Sequence, residues 1–409
     1  MKRETFGVRR SAFVLACLGC VILYAALAFG IYNGLTRHAL GANDFYSRWM
    51  GARALFLRGE NPYSENVTRE IQMGMYGQLA RVDQDQVAFA YPLYAAYVAA
   101  PLVIFPYAVA QALWMALLVM GVVAGALALA FVNRLALSPI TLAAILLGAL
   151  FFYPSVRGIF LGQYALFSFT LVALASFAIA TEHATTAGIL LALASVKPQP
   201  VIFLLPLILF WAWCNGKRRV VWGALLILAL LLGSSFLLVP SWFGDFLNGL
   251  QNYAQYAPVG PPLETFFKLF APNSFATSLF FIASGLLIVG MLAFVWKHRA
   301  QNWFAFQTSL GFAALVTTLL AGRIGTPDQV LLLIPLFAWL GQAQSQTRRV
   351  LLIFVALGML TAPWLVFLNL LEGDKEAIVV TTVLPLFVSA MFFALTFLGR
   401  HKSQPLRLT

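Results

Sequence analysis

The residues able to do chemistry in this chain are few, because 10% of its 409 residues are charged and 61% are hydrophobic. Asp44, Arg157, Lys197 and Arg323 stand close to the ends of apolar segments. Grouped cations bind phosphate, Arg through a bidentate fork and Lys as a point charge. A carboxylate placed opposite them can act as general base on an alcohol. These residue types are therefore suited to moving a group from a lipid phosphate to a hydroxyl.

The elements that must position these residues are membrane helices. A soluble chain holds roughly 45–50% apolar and about 25% charged residues, so the composition and the mean hydropathy of +0.86 exclude a soluble or disordered protein. Apolar runs near 20 residues recur from Ser11 onward and exceed the about 9–11 residues of a barrel strand. The sequence therefore predicts an all-α polytopic membrane protein.

Short groups of Lys and Arg orient the predicted helices, because positive residues stay on the cytoplasmic side. The net charge of +12 is divided among these groups, so it does not indicate a nucleic-acid partner. With the groups inside, the chain has about 12 spans and both termini in the cytoplasm, in the inner (plasma) membrane of the cell. The predicted spans cover residues 11–33, 107–132, 139–154, 163–181, 184–197, 198–214, 220–240, 273–296, 302–321, 329–342, 350–370 and 378–399. The stretch 87–106, broken by three prolines, is predicted to be re-entrant or to lie on the membrane surface.

This topology predicts three regions. Residues 1–10 form a cytoplasmic N-terminus, residues 11–342 a catalytic module of membrane helices, and residues 343–409 a terminal helical hairpin with a cytoplasmic tail. The module includes two outer loops, 34–88 and 241–272.

Both outer loops have informative patterns. In the first, the apolar residues from Asp44 to Arg58 recur at helical intervals, which predicts a juxtamembrane helix on the outer leaflet. The second is rich in aromatic and amide residues, such as Trp242, Asn248 and Asn252. It can stack on sugar rings or, alternatively, rest among lipid headgroups.

The same topology brings the candidate residues to the outer face at one depth. Ionisable groups at membrane depth usually face a cavity or a partner. As the alternative, Arg157, Lys197 and Arg323 only extend from helix ends to the headgroups. For Asp44 the alternative is a helix N-cap. Arg48 follows Asp44 by four residues and is placed to pair with it on a helix.

No cofactor is expected. The chain has no Walker loop, no Gly-rich dinucleotide fingerprint and no His-Glu-x-x-His, which argues against ATP, NAD and zinc. The cysteines lie within or beside apolar runs and predict neither a disulfide framework nor a metal cluster. We expect no metal, with the spacing Asp83-Gln84-Asp85 as the alternative for a metal pair.

Five short motifs in order carry a resemblance to a known family. They are Asn43-Asp44-Phe45-Tyr46, Gly59-Glu60-Asn61-Pro62-Tyr63, Phe89-Ala90-Tyr91-Pro92, Tyr153-Pro154 followed by Gly162-Gln163, and Val196-Lys197-Pro198-Gln199-Pro200. The sequence resembles glycosyltransferase family 87, the polyprenyl-phosphate-sugar-dependent enzymes of the GT-C class that include mycobacterial mannosyltransferases.

The resemblance implies a GT-C bundle and an inverting sugar transfer, with mannose as the expected sugar. The donor would be a polyprenyl-phosphate sugar, the acceptor a lipid or glycan on the extracytoplasmic face, and Asp44 the catalytic base. Arg157, Lys197 and Arg323 would bind the donor phosphate. The substrate cavity would include Tyr46, Arg48, Tyr63, Tyr91, Gln163, Gln199 and Asp328. Family members often have a His in the turn at 323–328, where this chain has none.

Two other functions stay open at this stage. A transporter or flippase of lipid-linked sugars would favour two related halves, and the sequence shows no convincing internal repeat. An inactive GT-C relative that scaffolds an envelope assembly would retain the fold without turnover. Turnover of a labelled donor distinguishes the enzyme from both.

Overall fold

The computed structural model describes residues 2–39, 43–81, 84–256, 260–300, 303–322, 325–342, 346–370 and 378–393. All regular structure in these ranges is helical. The first nine α-helices are α1 (Lys2–Ile31), α2 (Phe45–Arg53), α3 (Glu65–Tyr76), α4 (Ala96–Ala99), α5 (Tyr107–Val132), α6 (Pro139–Phe151), α7 (Tyr153–Leu161), α8 (Tyr164–Ala180) and α9 (Ala184–Ala194). They are followed by α10 (Leu204–Cys214), α11 (Arg218–Leu238), α12 (Trp242–Tyr256), α13 (Pro262–Lys268), α14 (Asn273–His298), α15 (Trp303–Leu320), α16 (Leu333–Gln342), α17 (Gln346–Asn369) and α18 (Ile378–Phe393). Shorter 3-10 or π segments cover Tyr32–Thr36, Ala54–Arg58, Leu93–Ala95, Ala100–Leu102, Gln199–Val201 and Thr326–Leu332.

Within these ranges, six helical segments are long and apolar enough to cross a membrane. They are Val14–Thr36, Tyr107–Val132, Arg218–Leu238, Asn273–His298, Trp303–Leu320 and Leu352–Asn369. The expected all-α polytopic membrane protein is confirmed at this level. The further apolar helices are 10–17 residues long and extend roughly 15–26 Å at 1.5 Å per residue, less than the ~30 Å hydrocarbon core. The total of 12 spans therefore stays a prediction.

One predicted span has a different shape from the one expected. Residues 139–154 were predicted as a single helix, but α6 ends at Phe151 and α7 begins at Tyr153, with 54° between the two axes. Pro154 has no backbone N–H to continue the hydrogen bonding of α6, so it favours a new helix start here. The two helices make a seventh span if they cross the membrane as one broken element.

The described residues form two compact units. The first unit comprises those of Met1–Gly121, Ile159–Gln163 and Gly233–Tyr256. The second unit comprises those of Val122–Gly158, Tyr164–Leu232 and Ala257–Thr409.

The first unit is built around α2, whose apolar side chains are buried. The Phe45 ring stacks on that of Trp114, with 5.0 Å between centroids. Trp49 donates from its indole nitrogen to the carbonyl of Leu102 at 3.1 Å, and Ala52 is fully buried. The helical periodicity predicted for this segment is thus present. Phe45, Trp49 and Ala52 of the apolar stripe pack against protein, whereas Phe56 is 38% exposed. Contact of this segment with the outer leaflet stays a prediction.

The second unit contains helices with opposite burial. In their most apolar windows, α15 is 83% buried and α14 only 11% buried. Large apolar side chains of α14 are exposed, among them Phe281 and Leu286. A helix whose apolar side chains point out of the protein is stable in lipid and not in water. We infer that α14 contacts lipid and that α15 belongs to the interior.

Candidate functional site

Asp44 lies immediately before α2 in the first unit and is half-buried. Its side chain makes no capping hydrogen bond, although it occupies the N-cap position. The capping hydrogen bond comes from the preceding residue, since Asn43 Oδ1 accepts a hydrogen bond from the Phe45 backbone N–H at 2.9 Å. The Asn43 amide also donates to the Phe160 carbonyl. The helix start is therefore satisfied without the carboxylate of Asp44.

Gln163 contacts the Asp44 carboxylate directly, donating from Nε2 to Oδ2. The turn before it depends on Gly162, whose φ is +64°. A Cβ at this position would lie 2.7 Å from Cβ of Phe45 and would overlap Asn43 Oδ1. Trp114 donates from Nε1 to the Gly162 carbonyl at 2.8 Å. Glycine is thus required both by the backbone angle and by the space, and it places the Gln163 amide on Asp44.

Arg48 fixes the backbone of Asp44 from the next helical turn. It is buried and donates from one guanidinium nitrogen to the Asp44 carbonyl. A second nitrogen donates to the Tyr91 hydroxyl at 2.7 Å, and the guanidinium carbon lies 4.5 Å from the centre of the Tyr91 ring. The expected proximity of Arg48 and Asp44 is present. The contact that the structure shows is with the main chain of Asp44.

A second carboxylate, Asp85, lies within electrostatic range of Asp44. Loss of solvation raises the pKa of Asp85, a hydrogen bond from the Val87 backbone lowers it, and the negative charge of Asp44 raises it further. The Tyr76 hydroxyl donates to the Asp85 carbonyl at 2.9 Å. Loss of solvation raises the pKa of Tyr76 as well, followed by the charges of Asp85 and Asp44. The sequence indicated Asp85 as half of an alternative metal pair and as a further candidate base in a solvated setting. Its polar surroundings did not indicate Asp44 as a neighbour.

Tyr46 is half-buried beside the same cluster. Its ring meets that of Tyr107 edge-on, with 4.7 Å between centroids. It also fills the space where a Cβ on Gly74 would lie, so α2 and α3 approach closely at this point. The Tyr107 hydroxyl lies 3.5 Å from the Asn43 carbonyl. Aromatic rings therefore surround the polar start of α2.

Tyr63 forms part of a cavity wall in the first unit. Its hydroxyl donates to the Tyr91 carbonyl at 2.5 Å, and its ring packs edge-on against that of Phe89 at 5.3 Å. Burial raises the pKa of Tyr63, and the charge of Asp245 raises it further. The structure thus connects Tyr63, Tyr91 and Arg48 through hydrogen bonds and ring contacts. Of these three residues, Tyr63 lines the cavity.

In the second unit, Lys197 and Asp328 form a buried ion pair. The ammonium lies 2.8 Å from one carboxylate oxygen, and the side chains are 9% and 1% exposed. Asp328 Oδ2 also accepts the Gly325 backbone N–H at 3.1 Å, at the start of the segment Thr326–Leu332. Two residues assigned to the site by sequence are therefore partners of each other.

The other predicted residues of the second unit have different surroundings. Arg157 is half-buried on α7, with its guanidinium carbon 5.6 Å from the centre of the Phe367 ring. Gln199 begins a 3-10 turn, and its Oε1 is buried without a hydrogen-bond partner among the residues described. Arg323 and Asp83 lie outside the described ranges. Among the described residues, His, Cys, Asp and Glu form no group of three that could hold a metal.

The comparisons with known proteins identify a family. The model for glycosyltransferase family 87 matches residues 89–321, more than half of the chain. The matched segment contains Gln163 and Lys197, whereas Asp44 precedes it. No curated protein and no solved structure matches the chain. This helical membrane protein therefore belongs to glycosyltransferase family 87 and is a membrane glycosyltransferase.

Proposed function

We propose that the protein transfers a sugar, mannose in the first instance, from a polyprenyl-phosphate donor to a hydroxyl of a lipid or glycan acceptor. The reaction takes place on the extracytoplasmic face, and Asp44 is the general base. The observation that carries the proposal is the environment of Asp44. Its carboxylate is half-buried, takes no part in capping α2 and accepts a hydrogen bond from a neutral amide, that of Gln163.

Such a carboxylate suits a base. An ionised carboxylate accepts about four hydrogen bonds, so the contact with Gln163 leaves capacity for an acceptor hydroxyl. Gln163 and the hydrogen bonds of Asn43 restrict the orientation of Asp44, which reduces the cost of reaching a reactive geometry. Partial burial limits the access of water, which would otherwise compete with the acceptor.

The proposed reaction is a single displacement at the anomeric carbon. The acceptor oxygen loses its proton to the Asp44 carboxylate while it forms a bond to the anomeric carbon of the sugar. The bond between that carbon and the donor phosphate oxygen breaks, and its electron pair leaves with the polyprenyl phosphate. Attack opposite the leaving group inverts the anomeric configuration. Cations near the phosphate stabilise the charge that develops on it.

Arg157, Lys197 and Arg323 are the proposed phosphate-binding residues, with unequal roles. Asp328 neutralises the charge of Lys197. An ammonium group has three N–H donors, so Lys197 would bind phosphate by sharing them with Asp328. The bidentate guanidinium of Arg157 is better suited to the main phosphate contact.

Donor turnover by the purified protein in lipid vesicles tests this function. The vesicles hold labelled polyprenyl-phosphate mannose, or the corresponding pentose donor, with a lipid extract as acceptor. We expect free polyprenyl phosphate to appear together with a lipid whose mass rises by one sugar unit. A flippase would move intact donor between leaflets without cleavage, and a scaffold would do neither. Either of these results would overturn the proposal.

A further inference from the structure

The first unit contains a cavity of about 690 Å³. This volume lies within the range of roughly 300–1,000 Å³ typical of small-molecule sites. Residues of α3 and α12 line it, together with the segment that leads to Phe89. The lining side chains that matter here are those of Tyr63, Gln72, Phe89, Asp245, Asn248 and Asn252.

One wall is a polar face of α12. Asp245, Asn248, Gly249 and Asn252 occupy positions i, i+3, i+4 and i+7, which places them on one side of a helix. The amides of Asn248 and Asn252 form no hydrogen bond with other described residues. Each has two donor hydrogens and an acceptor oxygen to offer a ligand.

The carboxylate of Asp245 is anchored through one oxygen. Asn61 and Ser241 both donate to Oδ2, at 2.9 and 2.8 Å. Within the described residues Oδ1 has no hydrogen-bond partner. The Asp245 carboxylate is therefore held in a fixed position, and its Oδ1 can accept hydrogen bonds from ligand hydroxyls at this wall.

The opposite wall combines aromatic rings with a braced amide. The rings of Tyr63 and Phe89 pack against each other, as described above. Gln72 is fixed at both ends, because its Oε1 accepts the Ala80 backbone N–H at 3.1 Å and its Nε2 donates to the Gln86 carbonyl at 3.1 Å. The wall is therefore held in place before a ligand enters, which lowers the cost of binding.

The charge of the lining selects the ligand. None of the described residues that line the cavity is Lys, Arg or His, and Asp245 brings a negative charge. A phosphate or carboxylate would be repelled, whereas a neutral polyhydroxylated ring would find acceptors, donors and flat apolar surfaces. A sugar hydroxyl can donate one hydrogen bond and accept another. The Asp245 carboxylate can accept such a bond, and the amides of Asn248 and Asn252 can both donate and accept. We propose that this cavity binds the neutral carbohydrate portion of the acceptor.

A chain of contacts connects this cavity with the proposed base. The Tyr63 hydroxyl bonds to the Tyr91 carbonyl, the Tyr91 hydroxyl accepts from Arg48, and Arg48 donates to the Asp44 carbonyl. A sugar held against Tyr63 is thus held by residues that also fix Asp44. This inference rests on the proposed function, and it identifies the acceptor as a molecule that already bears a sugar.

Glycine substitutions on α12 provide a matched test. A Cβ at Gly249, which lines the cavity, or at Gly244, which does not, would meet no atom within 4 Å. Both are helical, so Gly249→Trp and Gly244→Trp compare the same side chain inside and outside the cavity. Gly249→Ala controls for the change of backbone. The full chain in lipid nanodiscs is titrated with methyl α-mannopyranoside, methyl α-glucopyranoside and a methyl pentoside, and binding is read by saturation-transfer NMR.

We expect wild type, Gly249→Ala and Gly244→Trp to bind at least one glycoside. Gly249→Trp should weaken that binding at least about tenfold, with an unchanged thermal midpoint. Should Gly249→Trp fail to fold, the double variant Asn248→Leu/Asn252→Leu replaces it with the same expected loss. The inference would be overturned if no glycoside bound above the level of empty nanodiscs. It would also be overturned if Gly249→Trp bound glycosides as well as Gly244→Trp does, or if the double Leu variant bound them as well as wild type does.

The test is separable from that of the proposed function. Glycoside binding does not require proton transfer, so binding and donor turnover are measured independently on the wild-type protein. A cavity that binds glycosides in a protein that turns over no donor would refute the catalytic proposal alone. Donor turnover without glycoside binding would refute the cavity proposal alone.

Discussion

Two carboxylates, Asp44 and Asp328, lie one in each unit and differ in burial and in partners. Asp328 is 1% exposed and lies between the Lys197 ammonium and the Gly325 backbone N–H. Asp44 is half-buried, and its hydrogen bond comes from the neutral Gln163 amide. Asp328 is the partner of a buried cation, whereas Asp44 takes part in no ion pair among the described residues. Both residues were assigned to the site from sequence, and their surroundings give them different roles.

Asp44→Asn should have the largest effect. The amide keeps the size of the side chain but cannot take a proton, so we expect donor turnover to fall by about 10²- to 10⁴-fold. Folding should be retained because Asn43 caps α2. Turnover is measured in lipid vesicles, and gel filtration together with the thermal midpoint reports folding. Activity equal to that of wild type would remove Asp44 from the mechanism.

Lys197→Met tests the other half of the comparison. It leaves the Asp328 carboxylate buried without its cation, which typically costs about 3–5 kcal/mol. Denaturant unfolding in detergent should show this loss of stability. The double variant Lys197→Met/Asp328→Leu should recover most of it, because removing both charges is often neutral. If Lys197→Met kept wild-type stability but lost donor binding, the lysine would serve the phosphate and not the ion pair.

Gly162→Ala examines how the Gln163 contact is built. Gly59 is a matched control, since its φ of +68° is similar and a Cβ there meets no atom within 4 Å. Gly59→Ala should lose about 1–2 kcal/mol of stability from backbone strain alone. Gly162→Ala adds overlap with Phe45, worth about a further 1–3 kcal/mol, and should also lower turnover by displacing Gln163. Equal stability and equal turnover of the two variants would contradict this account of the turn.

Asp85→Asn should have the smallest effect, and its sign depends on pH. Loss of solvation in the folded protein raises the pKa of Asp85 above its ordinary value of 3.8, so the folded state favours the protonated form. The cost of ionising Asp85 therefore appears as pH rises through this window and is complete at neutral pH. The variant should unfold at a slightly higher temperature than wild type at pH 7, and the two should converge below pH 3.8. A variant that is less stable at pH 7 would show that Asp85 is held by an ion pair instead.

Long uninterrupted apolar runs were the part of the fold that the sequence predicted best. Helix α5 occupies residues 107–132 as predicted, and α14 begins at Asn273 as predicted. Such runs leave few alternatives in a membrane, because every backbone group must be satisfied within the helix. Shorter apolar segments, such as α9 and α10, were harder to interpret, since about eleven residues fit a partial crossing or a buried core helix.

The contacts among the candidate site residues could not be predicted from the sequence. The hydrogen bond between Gln163 and Asp44 joins residues 119 positions apart, and it depends on a left-handed turn at Gly162 that a short motif does not reveal. The pairing of Lys197 with Asp328 was missed because opposite charges at one predicted depth can pair or bind a ligand. The polar face of α12 was predictable from the helical spacing of Asp245, Asn248 and Asn252. The sequence analysis considered only the composition of this loop.

The two faces of α12 make different contacts. Trp242 and Phe246 are buried and attach the helix to the first unit, while the side that carries Asn248 and Asn252 faces the cavity. Exchanging residues on the cavity side leaves the attachment intact. If the cavity binds the acceptor as proposed, acceptor preference would be set by a few exposed positions of one helix, and exchanging them would leave Asp44 and its contacts unchanged.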